Sequence, residues 1–501
     1  MLPLITPISL FALIGICRSV GAAAPQVSSS QPQTDTLLDC LHRNIPTSSI
    51  ITPTNANFVN DSIRWTTLGA PSFSVLVNAG SEEDIATSIE CATQLNVTFL
   101  VTGPRHGYSI TLGSVQNGLE INTAFLDHLS VDPDANILTA GGSVTFGQAI
   151  DALYPVGKEM PTGSCSCVGL LGGSLGGGVG RLSGLHGLVL DSLISVRLML
   201  PNTTIITASK TENEDIFWGI RGAGFNFGYV LNATYRIYDQ VPNGLHLNAD
   251  FKFPISQVQS YYERLEEIAK TQPKELSILT LFNYDADLNE TIITANAVYA
   301  GPEADGRTAV QFLLDQNPLV SNITCVPWID LLDTVGFGFT GPAICKRGNR
   351  RSQWVIGVNR LDPDAYTTAS RIFQDMITRY PATLDSSIDL QLLPTQGIIA
   401  VPDNETAYPW RSLIAHVLLE FKYTDAALDG IVEKYARRIR DVIVQTAGTA
   451  GLNVYVSYSH GDETLEEIYG ERKLGRLANL KKRIDPEGLF DAYHALPTTY
   501  P

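Results

Sequence analysis

Charge is scarce in this chain. Asp, Glu, Lys and Arg make up 17% of its 501 residues, and acids outnumber bases 51 to 34. A chain of formal net charge −17 is poorly suited to a phosphate backbone or an anionic bilayer, because both call for clustered Lys and Arg. Neither nucleic acid nor a membrane is an expected partner. The one basic run, Cys345-Lys346-Arg347-Gly348-Asn349-Arg350-Arg351, is short and reads as a solvated loop. Histidine is rare too. Its eight copies show no metal-ligand spacing, and Cys165 and Cys167 lack the neighbouring His or Cys of a zinc shell, so no metal is expected. No Gly-Lys-Ser/Thr closes a glycine run, which excludes a P-loop, and no serine nucleophile elbow is expected. Gly336–Gly341 has Gly-X-Gly-X-X-Gly spacing, but no strand precedes it and no helix follows, as a dinucleotide turn requires.

Long apolar runs are absent after the N-terminus. There, Leu2 to Cys17 is apolar and Val20-Gly21-Ala22-Ala23-Ala24 is small, the pattern of a secretory signal cleaved near Ala22 to Ala24. Seven Asn-X-Ser/Thr sequons agree with that route: Asn60, Asn96, Asn202, Asn232, Asn289, Asn322 and Asn404. The mature chain is expected to be secreted, or held in the lumen of the secretory pathway, and monomeric. Six cysteines remain after cleavage, an even number that invites disulfides in an oxidising compartment. Cys325 and Cys345 have the spacing to close a loop. Cys40 and Cys91 lie in two helix-like segments and have the means to staple them. Cys165 and Cys167, one residue apart, are strained as a pair, so one or both have another task.

Periodicity gives helices at 36–43 and 83–95, with strands at Ser72–Gly80 and Val97–Gly103 around the second. The Ser/Gln/Pro/Thr stretch at 26–35 reads as a flexible leader. A hairpin is expected at 191–209, turning at Pro201-Asn202, then a short helix from Asn213 and a strand from Phe227. From Val241 onward long strands alternate with long helices, which suggests one antiparallel sheet with helices on one face. The tail from Asn453 reads as a strand, then a helix.

Two loops stand out. One is Val101–Gly113, with His106. The other is Pro161–Arg181, in which Cys165 and Cys167 precede six glycines among the nine residues Gly172–Gly180. Runs of exposed backbone N–H groups bind a pyrophosphate without needing lysine. That suits an acidic protein with an anionic cofactor.

These residues resemble the FAD-linked oxidases with a p-cresol methylhydroxylase-type FAD domain, in the berberine bridge enzyme-like branch. The resemblance spans nearly the whole mature chain. His106-Gly107-Tyr108 is similar to the loop whose histidine bonds the flavin 8α-methyl, and Cys165-Ser166-Cys167-Val168-Gly169 to the stretch whose cysteine bonds flavin C6. The glycine run to Asp191, the stretch Thr211–Val230, Tyr455-Val456-Ser457-Tyr458 and Lys481-X-X-X-Asp485-Pro486 resemble further signatures. The resemblance implies an α+β fold: a two-part FAD-binding domain of p-cresol methylhydroxylase or vanillyl-alcohol oxidase type, and a substrate domain whose antiparallel sheet is covered by helices. The boundaries expected are signal 1–24, leader and first helix 25–65, FAD-binding 66–243, substrate-binding 244–450 and a returning C-terminal segment 451–501.

It also implies FAD held through His106 and Cys165. Around it stand Gly103, Pro104, Arg105, Gly107, Tyr108, Val168, Gly169, Gly172, Gly173, Gly176, Gly177, Gly178, Asp191, Asn226 and Gly228. The Cys40–Cys91 pair is implied as well, and Cys167 is expected to be a small buried residue. Three departures stand beside these matches. Pro104-Arg105 replaces the usual Gly-Gly, Ser457 replaces asparagine, and Trp410 replaces histidine. A glutamate base of the berberine type would fall near Ala400 and is absent. The base expected instead is Tyr455 or Tyr458, unless both merely pack. Val168 occupies the family's oxygen-gate position. The reaction implied is hydride transfer from a small natural-product intermediate, alcohol or carbohydrate to flavin, with O2 reduced to H2O2. The alternative is a flavin-containing cyclase or isomerase without net redox.

Overall fold

The computed structural model describes residues 30–46 and 49–501. The expected signal peptide lies outside the described residues. The leader is shorter than expected: the first helix is Ser30–Leu41. Leu37 and Leu41 are fully buried, and Cys40 is bonded to Cys91 on the helix Glu82–Gln94, so tertiary anchoring extends the helix into a polar stretch.

Three sheets carry the site. The first has the order Ile50–Ile51, Phe73–Asn78, Gly118–Asn122, Phe99–Thr102, and its last three strands are parallel. Helix Glu82–Gln94 makes the crossover between the strands Phe73–Asn78 and Phe99–Thr102. Ser81 caps it by accepting from Asp84 N, and Ile85, Ile89 and Ala92 form its buried stripe. The second sheet is antiparallel: Leu129–Asp132, Ile137–Gly141, Tyr229–Arg236, Leu193–Met199, Ile205–Ser209. It contains the expected hairpin through Pro201-Asn202.

The third sheet has seven antiparallel strands, ordered Val320–Pro327, Leu245–Pro254, Glu290–Tyr299, Leu276–Asp285, Ser387–Leu392, Ala415–Tyr423, Arg350–Val358. Strand side chains alternate between faces. One face (Phe251, Phe282, Ile293, Leu390, Leu419, Trp354) forms an apolar core with the helices Val258–Ala269, Glu303–Leu314, Pro363–Arg379 and Asp429–Val444. The other face carries Asp250, Asn296, Leu281, Asp389, Gln391, Leu418, Glu420 and Gln353, and part of it closes over the cavity described below.

Two cysteine expectations are corrected. Cys167 is bonded to Cys345, not left as a small buried residue, and Cys325 is free. Cys325 lies on the edge strand Val320–Pro327, whereas the strand after Cys345 forms the opposite edge. Six strand spacings, roughly 29 Å, separate those edges. The tail is corrected too. Residues 456–458 form a 3₁₀ turn, not a strand, and the helix Glu471–Ile484 follows. Tyr455, just before the turn, keeps an extended backbone, and its hydroxyl accepts from Gly178 N at 2.7 Å. Lys481 and Asp485 form a buried ion pair, and Asp485 also accepts from Leu489 N and Phe490 N. That turn seats Phe490 edge-on against Phe99 of the first sheet. No helix among the described residues is long and apolar enough to cross a membrane.

Candidate active site

A cavity of about 340 Å³ lies where the three sheets and the tail meet. Strand Phe99–Thr102 delivers the His106 loop to it. The Cys165 loop enters from the other side and runs into the helix Leu170–Gly176, so half of the glycine run is helix rather than loop. The two loops touch where Pro104 packs on Gly169.

Of the expected site residues, His106, Cys165, Gly103, Pro104, Arg105, Gly107, Tyr108, Val168, Gly169, Gly172, Gly173, Gly178, Gly228, Tyr455 and Tyr458 line the cavity. Four do not. Gly176 and Gly177 back onto the tyrosine segment: a Cβ at Gly176 would lie 2.1 Å from Ser457 Oγ, and Gly177 has φ +152° against the rings of Tyr455 and Tyr408. Asp191 is taken up by Arg411 in a buried bidentate pair at 2.7 and 3.0 Å. Asn226 donates to Tyr469 Oη and accepts from Leu496 N, tying down the C-terminus. Contrary to expectation, Gly172-Gly173-Ser174-Leu175-Gly176 does have nucleophile-elbow spacing. Ser174 is no nucleophile: it is buried in the helix and bonded to Leu170 O and Tyr235 Oη.

The His106 ring stacks on Trp65, with centroids 4.4 Å apart. Burial, aided by nearby Arg351, depresses its pKa to about 3, so the imidazole is neutral. Its Nε2 is buried without a partner. Burial pushes the Cys165 thiol up to about 12. Arg64 Nη1, Tyr108 Oη and Ser457 Oγ, all on residues lining the same cavity, are also buried and unpartnered. A Cβ added at Gly172 would meet open space. Unspent donors around a side-chain-free wall fit a large polar cofactor, and the nucleophilic pair His106 and Cys165 fits the flavin implied by the sequence.

The opposite wall was not read from the sequence. Leu279, Leu281, Leu418, Phe339 and Ile344 make it apolar, and Asp389, Gln391, Glu420 and Gln353 bring polar groups into it. Burial raises the Asp389 pKa to about 7, against a hydrogen bond from Gln391 Nε2 at 3.0 Å. Its Oδ1 is unpartnered. Glu420, held by Gln353, is raised by burial as well. Tyr458 Oη donates to Gln391 Oε1 at 3.4 Å, and burial lifts its pKa well above the phenol range. Ala400 is exposed, so no acid reaches the cavity from there. Polar residues alternating with apolar ones in Ser387–Leu392 were the available signal; alternation alone does not say what the polar face meets.

A family model described as FAD binding domain matches residues 73–209. A FAD-linked oxidoreductase of Pyricularia oryzae, OXR1, is 38% identical over 448 residues, covering 89% of this chain and 88% of the relative. Among solved structures, wild-type BBE-like 1 of Physcomitrella patens superposes with TM-score 0.81 at 20% identity, over 93% of this chain and 100% of its own. A glucooligosaccharide oxidase of Acremonium strictum, described with 6-S-cysteinyl, 8α-N1-histidyl FAD, superposes with TM-score 0.80 at 20% identity, with the same coverage.

Proposed function

The chain belongs to the FAD-linked oxidoreductases, and from that premise we propose that it is an oxidase carrying FAD through two covalent bonds, at His106 and Cys165. The observation that carries this is the unpartnered His106 Nε2 and the free Cys165 lining one cavity. The glucooligosaccharide oxidase, named for both bonds, supports it. Residues 66–243 and 451–501 are read as the FAD-binding part, and 244–450 as the substrate part.

A flavin held by His106 and Cys165 would supply two-electron chemistry, taking up hydride from a substrate carbon and returning the electrons to O2 as H2O2. The chain's own groups handle the proton. Asp389 is the better base than either tyrosine, because a carboxyl near pKa 7 is about half ionised at neutral pH, whereas Tyr458 is not ionised at all. Asp389 Oδ1 takes the proton from the substrate hydroxyl. Tyr458 and Gln391 orient that hydroxyl, and Val168 borders the path for O2. Tyr455 is spent on Gly178 N and acts as a brace for the glycine segment. The leucine-lined wall favours an uncharged substrate with an apolar body: a natural-product intermediate, an alcohol or a carbohydrate with one face engaged. The two disulfides accord with secretion.

The test is acid precipitation of wild type, His106→Ala, Cys165→Ala and the double variant. Yellow pellets from the first three and a colourless one from the double variant support two bonds. A colourless wild-type pellet refutes both assignments.

A further inference from the structure

The basic run beside Cys345 reads as solvated, but its backbone is spent on the segment Arg64–Thr67, and its side chains reach both flavin-attachment loops. Ile344 O accepts from Trp65 Nε1 at 2.7 Å. Cys345 is bonded to Cys167, two residues from Cys165. Arg347 Nη2 donates to Pro104 O at 3.1 Å, two residues from His106. Gly348 N donates to Arg64 O, and Thr67 N to Asn349 O. Arg351 exchanges hydrogen bonds with Thr66 Oγ1 through its own N and O, and its guanidinium sits 4.0 Å from the Trp65 ring that stacks on His106. Lys346 and Arg347 remain at the surface, while Arg351 is buried.

We propose that residues 344–351 are a positioning strap for covalent flavin attachment, in which Trp65 and Arg351 orient His106 for one bond and the Cys167–Cys345 disulfide orients Cys165 for the other. The proposal rests on the reading of a doubly bonded flavin. Each attachment replaces one cofactor C–H and one N–H or S–H by a C–N or C–S bond. The two electrons and two protons released go to the isoalloxazine and from it to O2, which leaves as H2O2. A neutral imidazole and a thiolate are the competent nucleophiles. The Arg351 charge opposes protonation of His106, and at Cys165 it partly offsets the burial and the Glu420 and Asp389 charges that hold the thiol protonated, so one guanidinium acts on both. The disulfide spans 178 residues and ties the Cys165 loop to the turn that leads into the edge strand Arg350–Val358 of the third sheet.

The experiment is peptide mass spectrometry of the purified holoprotein, scoring His-linked and Cys-linked flavin separately in wild type, Cys167→Ser/Cys345→Ser, Trp65→Leu, Arg351→Gln and Arg351→Lys. Circular dichroism and the unfolding midpoint of each variant are recorded alongside. The disulfide variant is expected to lose Cys-linked flavin on the order of tenfold while keeping the His link. Trp65→Leu and Arg351→Gln are expected to lose the His link by a similar factor, with Arg351→Lys between them and wild type. Wild type without either link overturns the flavin reading itself. A doubly linked wild type whose variants keep both links, or lose both in parallel with stability, overturns the strap.

Discussion

Arg105 pairs with Glu120 at 2.6 Å, both side chains nearly sealed from solvent, and does so from a left-handed backbone with φ +60°. Thr102 Oγ1 donates to the same carboxylate at 2.8 Å. The family's usual glycine would hold this conformation without strain, and Arg105 holds it through the ion pair. Arg105→Gly should relieve about 1 kcal/mol of backbone strain and still destabilise the protein, because Glu120 is left buried and unpaired. Glu120→Gln should cost about 3 kcal/mol. Denaturant titration checks both; an Arg105→Gly variant more stable than wild type removes the ion pair as the reason for the arginine.

Asp389→Asn should lower kcat/KM by roughly 10² to 10⁴. Wild-type kcat/KM should rise through a limb near pH 7, because the base works ionised and its pKa is raised to about 7. The same shift makes the native carboxyl a burden. Its folded pKa lies above the unfolded value near 3.9, so the native state binds more protons between those values and loses stability as pH rises from about 4 to 7. Asp389→Asn should therefore stabilise the protein more at pH 8 than at pH 5. Equal shifts in midpoint at the two pH values would count against a buried, titrating carboxyl.

The two tyrosines should separate. Tyr455→Phe leaves Gly178 N without its acceptor, a loss of about 1–3 kcal/mol in stability. Tyr458→Phe removes a hydroxyl that faces the cavity, and should lower kcat/KM with little change in unfolding midpoint. Reversed effects would exchange their roles.

Glycan mapping of the protein expressed through a secretory host should find Asn232 bare. It is half-buried at the centre of the second sheet, paired with Gly141 on one side and Arg197 on the other. The other six sequon asparagines are exposed. A glycan on Asn232 would contradict the register of that sheet.

Much of the architecture was legible because it rests on local periodicity. The crossover around Glu82–Gln94 follows from Ser81 as cap and a stripe of Ile85, Ile89 and Ala92. The third sheet shows its covered face as alternation in strands such as Leu245–Pro254 and Ser387–Leu392. What the polar face meets was not legible. Asp389 and Glu420 have the pattern of solvent-facing strand residues, and only packing against the first two sheets makes them cavity groups with raised pKa.

By itself, the sequence determined which chemistry the chain reserves. A histidine and a cysteine stand in side-chain-poor loops, and that is a local property of residue type and spacing. The tertiary structure decided which groups surround that chemistry. Cys345 was free to pair with Cys325 by spacing, but the sheet order puts the two at opposite edges and brings Cys345 to Cys167, 178 residues away. Asp389 became the candidate base, and Asp191 and Asn226 became structural ties, for the same reason. Burial and partner choice depend on contacts between segments far apart in the chain, and no local pattern encodes them.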